Sequence, residues 1–172
     1  MAGRAELMRA WRHMRWGITV ILYLSGTAQA QLPERPINFD MLREYFAPVS
    51  VIASDNTRCH HLDTLLAESG AQRARGLMFV RQMPNMSGLL FYYPQPRQMS
   101  MWMKNTLISL DILFIGRDGT IVNIARATEP LSLESISSQA PVNYVLELNA
   151  GTADRLALSP GDRIEIVRLP DR

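Results

Sequence analysis

The stretch LDILFIGRDGTIVNIARA, residues 110–127, holds two apolar runs, Leu110 to Ile115 and Ile121 to Ala127, parted by the turn pair Asp118-Gly119. Short runs of this kind bounded by turn chemistry read as β-strands. The same texture recurs on both sides, at Val49 to Ala53, Cys59 to Leu66, Gly88 to Tyr93, Met99 to Met103, Tyr144 to Asn149 and Arg163 to Val167. Asp55-Asn56, Pro94-Gln95-Pro96 and Pro160-Gly161-Asp162 supply the punctuation. Many short strands with tight turns predict a barrel or a sandwich. Two stretches read as helical instead: Glu68 to Gly76, and Thr152 to Leu158, where Thr152 is placed to N-cap a turn carrying Asp154 near its start. The expected fold is therefore α+β, mainly β: a single small, partly closed β-barrel-like domain over residues 49–172 with one or two short helices packed on it.

The N-terminus has a different texture. Arg4, Arg9, Arg12 and Arg15 precede the apolar run Gly17 to Leu24, which gives way through Ser25, Gly26 and Thr27 to Ala28-Gln29-Ala30. A basic segment, an apolar segment and small residues at the two recognition positions form the pattern of a cleavable signal peptide over residues 1–30. Eight apolar residues span only about 12 Å as a helix against a hydrocarbon core of roughly 30 Å, which argues against a membrane anchor. No cysteine lies near the cleavage point, which argues against a lipoprotein. Cleavage near Ala30 leaves Gln31 as the first residue of a periplasmic or secreted chain with no stable membrane insertion. Residues 31–48, with three prolines and no clear period, are expected as a tether containing a helical turn at Phe39 to Phe46.

Removing such a leader changes the electrostatics. The whole chain has 18 basic and 16 acidic residues; beyond residue 30 there are 14 and 15, a formal net charge of −1. A nucleic-acid partner is therefore not expected. Cys59 is the single cysteine, so no intramolecular disulfide forms and the domain must be held by packing.

Three blocks in order carry a family resemblance: Arg75-Gly76-Leu77-Met78, Ser87-Gly88-Leu89-Leu90-Phe91 and Trp102-Met103-Lys104-Asn105-Thr106. With Leu110-Asp111, Asp118-Gly119, Tyr144 to Gly151 and Gly161-Asp162, the chain resembles domain of unknown function family 192 over roughly residues 49–168. The resemblance implies a small β-rich domain, often exported, and no established activity. This chain departs from the family pattern at Met101, where an aromatic residue is usual before the Trp, and at Ser109, where proline is usual before Leu110-Asp111.

The middle block also carries the chemistry. Lys104, Asn105 and Thr106 bring a cation, an amide and a hydroxyl to the end of an apolar run, with Asp111 close behind. Such a cluster suits a ligand oxyanion or carbonyl. On this reading the binding residues are Arg75, Trp102, Lys104, Asn105, Thr106 and Asp111, and the partner is a small anionic or carbonyl-bearing ligand at the cell envelope. The competing reading has Asn105 and Thr106 capping the loop while Lys104 pairs with Asp111 on the surface. Charge favours the first: residues 73–126 have a net balance of +5, while 31–72 and 127–172 are each −3.

Two further readings belong to other classes. One is an enzyme using Lys104, Asn105 and Asp111. The other is a soft-metal carrier, because Met99, Met101 and Met103 share one face of an extended strand and thioethers suit Cu(I). Core filling is the plainer role for such methionines. Cys59, His61 and Asp63 also share a strand face, but alternate positions spread the ligands over about 13 Å, too far for one zinc. A buried Cys59 beside exposed histidines is the expectation there. No metal site and no cofactor are expected.

Overall fold

A computed structural model describes residues 35–54 and 57–167. The expected signal peptide and the Asp55-Asn56 turn lie outside the described residues. A 3-10 helix, Phe39–Glu44, leads into β1 (Ala47–Ser54), β2 (Cys59–Ala67), α1 (Gly70–Arg75), β3 (Ser87–Met101), β4 (Leu110–Ile115), β5 (Ile121–Ala125), β6 (Ile136–Asn149), α2 (Thr152–Arg155) and β7 (Arg163–Val167). The strands form one curled half-barrel sheet in the order β5-β4-β6-β3-β2-β1-β7. Among the described strands of the sheet, β2 and β3 are the pair that runs parallel. A parallel pair needs a long crossover, and the segment holding α1 supplies it. The mainly β, partly closed fold with short helices is as expected.

The curl brings the two ends of the sheet together. Ile164 N–H donates to Gly119 O, Ile121 N–H to Asp162 O and Gly161 N–H to Ile121 O, each at 2.8 Å. Gly119 is required at this seam: its φ is +87°, and a Cβ there would stand 2.5 Å from Ile164 O.

Side chains alternate between two apolar layers. One layer draws on all seven strands and α2, including Val51, Leu62, Leu90, Leu113, Ile121, Leu146, Ala153 and Ile164, and lies inside the curl. The other lies on the outer face of the central strands, where Leu89, Phe91, Ile112, Phe114 and Val145 pack under Phe39, Leu42, Leu77 and Val80. Strand β4 is buried at all six positions because both of its faces are covered. From Ile37 onward the expected tether belongs to this outer layer, with Phe39 and Leu42 fully buried. Apolar side chains at Ile37, Phe39, Leu42 and Phe46 gain about 1.5–3 kcal/mol each on burial, enough to dock the segment.

Three local expectations are corrected. Met99 to Met103 is not a separate strand: β3 continues through Pro94-Gln95-Pro96, with the register against β6 shifting between Tyr92 and Arg97. Prolines have no N–H to give the ladder, so the chain bulges there, and Asn143 Nδ2 donates to Tyr93 O at 2.9 Å across the gap. Thr152 is not an N-cap. Gly151, at φ 78°, holds that place and Thr152 is buried. Cys59 is exposed rather than buried, because it opens β2 at the rim of the sheet.

Candidate functional site

Helix α1 is fixed by a reciprocal cap. Gln72 N–H donates to Ser69 Oγ at 3.1 Å, and Ser69 N–H donates to Gln72 Oε1 at 2.9 Å. The helix ends on Arg75, whose side chain turns inward, 7% exposed, with its guanidinium 5.1 Å from the centroid of the Phe79 ring. Gly76, at φ +48°, then turns the chain away. Opposite it, Met103 to Thr106 make a tight turn closed by Thr106 N–H to Met103 O at 3.0 Å. Lys104 sits at its tip, with Nζ 5.1 Å from the centroid of the Trp102 ring.

Arg75, Trp102, Lys104 and Thr106 thereby line one cleft of about 30 Å³, together with Met78, Met101 and Glu147. Four of the six expected binding residues meet there. Asn105 stands beside the cleft, its amide 3.9 Å from Met78 Sδ, and serves the turn at φ 56°, a conformation asparagine tolerates. Asp111 is not brought to the cleft. It pairs in register with Leu148, which belongs to the inside of the curl, so its side chain is on the opposite face of the sheet from Glu147. There its carboxylate accepts from Ala127 N–H and Ala153 N–H, both at 2.9 Å. It satisfies the first turn of α2, which Gly151 has no side chain to cap. Asp111 is 1% exposed, which also removes the surface pairing with Lys104.

Glu147 was not among the expected residues. It lies on β6 opposite Leu89 of β3 and Ile112 of β4, on the outer face. Its side chain is 5% exposed, and Oε2 has no hydrogen-bond partner among the described residues. Burial pushes its carboxyl up to about 8, so at neutral pH it holds its proton and offers a donor. The signal that points to it is the apolar run of β4: a strand buried on both faces places every side chain opposite it inside the protein.

Three of the seven described non-glycine residues with positive φ lie beside the cleft. Phe79, Asn105 and Leu131 all have positive φ, at 64°, 56° and 65°. They are joined by Phe79 N–H to Asn105 O at 2.8 Å and Leu131 N–H to Thr106 O at 3.0 Å. For Phe79 and Leu131, which lack asparagine's tolerance of this region, the cost is about 1 kcal/mol or more each.

The other candidates are placed elsewhere. Met99 and Met103 are buried in the outer layer, and their sulfurs accept from Arg97 Nε at 3.3 Å and Thr128 Oγ1 at 3.2 Å. His61 Nε2 is hydrogen-bonded to Ser50 Oγ, and Asp63 is paired with Arg43 at 2.6 Å. Among the described residues no group of three or more His, Cys, Asp or Glu is arranged to hold a metal, and no helix is long and apolar enough to cross a membrane.

A small curled half-barrel with a basic-rimmed cleft over a buried carboxyl is the class that fold and site define. The chain belongs to domain of unknown function family 192, described as an uncharacterized ACR, whose pattern it matches over residues 51–166. Among solved structures it is similar to a Sinorhizobium meliloti protein described as a candidate transcription regulator. That protein is 48% identical, with a TM-score of 0.69 over 70% of this chain and 95% of the other. It is also similar to a protein of unknown function from Novosphingobium aromaticivorans, 36% identical, with a TM-score of 0.67 over 69% of this chain and 84% of that one. No curated protein matches.

Proposed function

We propose that this domain binds a small anionic or carbonyl-bearing group in the cleft between α1 and the Met103–Thr106 turn. The observation that carries the reading is Glu147: a buried carboxyl with a free Oε2, lining a cleft whose other walls carry Arg75 and Lys104. A protonated Glu147 donates to a carbonyl or carboxylate oxygen, and the cations balance the charge of an anion. The cleft is small, about 30 Å³, so it takes the end of a ligand rather than the whole of it. Thermal-shift screening of small carboxylates and carbonyl compounds tests this. Lys104→Ala is expected to leave the melting temperature within a few degrees while weakening anion binding about ten- to hundredfold. Unchanged affinity in that variant excludes the cleft as the site.

The same carboxyl favours a second reading, in which the cleft is catalytic and Glu147 delivers a proton to a bound carbonyl. The two readings separate when a bound compound is recovered after incubation, chemically unchanged or converted. The description of the Sinorhizobium meliloti protein is not carried over to this chain, because a net charge of −1 beyond residue 30 gives no basic excess for a phosphate backbone.

The ligand is met at the cell envelope if residues 1–30 direct export. Mass spectrometry of the periplasmic fraction is then expected to find the chain beginning at Gln31. Recovery of intact residues 1–30 in the membrane fraction would replace the exported, soluble reading with an anchored one.

A further inference from the structure

The cleft does not end at Trp102. Met101 and Trp102 also line an adjoining groove of about 290 Å³ with Ser100, Leu133 and Ser135. Its apolar walls are bare: Trp102 is 51% and Leu133 69% exposed. A single exposed leucine is ordinary on any protein surface. Here Trp102 and Leu133 line one groove from two loops joined by Met103 N–H to Ser132 O and Leu131 N–H to Thr106 O, both at 3.0 Å. Apolar groups gathered beside a polar cleft mark a binding surface. The two hydroxyls on the wall are already engaged with each other, Ser100 Oγ lying 2.7 Å from Ser135 Oγ. An enclosed cavity of about 150 Å³ holds one benzene ring, so the groove has room for a ring that the cleft lacks.

Resting on the reading of the cleft given above, we infer that the ligand is an aryl carboxylate, its carboxylate held at the cleft by Lys104 and its ring lying in the groove along Trp102 and Leu133. A hydroxyl-rich ring fits less well. It would exchange water for apolar walls and a hydroxyl pair already bonded, leaving its own polar groups without partners.

Calorimetric titration of the full chain with acetate, phenylacetate and glucuronate at mildly acidic pH tests the assignment. Phenylacetate is expected to bind about tenfold or more tightly than acetate, because only its ring reaches the groove. Leu133→Ser, at an exposed position, is expected to bring phenylacetate down toward acetate while acetate itself is unchanged. Lys104→Ala is expected to weaken both. Equal affinities of acetate and phenylacetate overturn the aryl assignment and leave the cleft standing. So does glucuronate outranking phenylacetate, or an unchanged ratio in Leu133→Ser. Binding of none of the three, or phenylacetate binding indifferent to Lys104→Ala, removes the cleft reading and the aryl assignment with it.

Discussion

Asp111 and Glu147 are the two buried acidic side chains of the described sheet, one position apart in the register of neighbouring strands and on opposite faces. Asp111 accepts two backbone N–H groups that have no other acceptor among the described residues, so its work is structural. Glu147 stands in the same depth of protein with Oε2 unpartnered, and burial raises its pKa to about 8. Depth therefore does not distinguish a carboxylate bound to backbone donors from a carboxyl left without them. The donors around it do.

The comparison breaks most sharply at Asp111. Replacing it with alanine strands the buried amide of Ala153, worth about 1–3 kcal/mol without a partner, and the part-buried amide of Ala127, worth less, for a loss of about 2–4 kcal/mol in urea unfolding. A loss under about 1 kcal/mol would show that water reaches those amides and that the contrast with Glu147 is false.

Glu147→Gln sharpens the other side, through pH. The unfolded chain releases this proton near 4.5, while the folded chain keeps it until about 8. Its contribution to stability is therefore fully present below 4.5 and is lost as pH rises to about 8. In that window the parent is expected to lose ground to Glu147→Gln by on the order of 1.4 kcal/mol per pH unit. Melting curves across a pH series check it, and parallel profiles for the two proteins would assign the proton elsewhere.

The smallest effect is expected at Met101, half-buried where cleft and groove meet. Met101→Leu is close to volume-conserving and should cost less than about 1.5 kcal/mol by chemical denaturation. A larger loss would mean that the cleft wall is packed as tightly as the core.

The fold was legible where local signals agreed. The run Leu110 to Ile115 became β4 without change, and Glu68 to Gly76 holds α1 because Ser69 and Gln72 supply its cap. Pro94 and Pro96 misread as a break, since whether proline ends a strand or only bulges it depends on the partner strand, here β6 with Asn143. The site was legible in its residue types but not in its faces. Asp111 follows Lys104 closely in sequence, yet strand alternation sends it through the sheet, and only the register with Leu148 reveals which way. Glu147 was hidden for the complementary reason. In an antiparallel strand a lone charge between leucines is ordinarily the solvent-facing member, and here that face is covered by Leu77, Val80 and the N-terminal segment.

The seam at Gly119 has a consequence for the protein in a crowded solution. The two outermost strands of the sheet, β5 and β7, are five residues each, and where they begin they are tied to one another rather than left bare. Unpaired strand backbone is a template on which other chains can stack. By folding its sheet until one edge meets the other, this domain ties down the start of each outer strand, so the same close approach that demands glycine at position 119 also shortens the edge open to self-association.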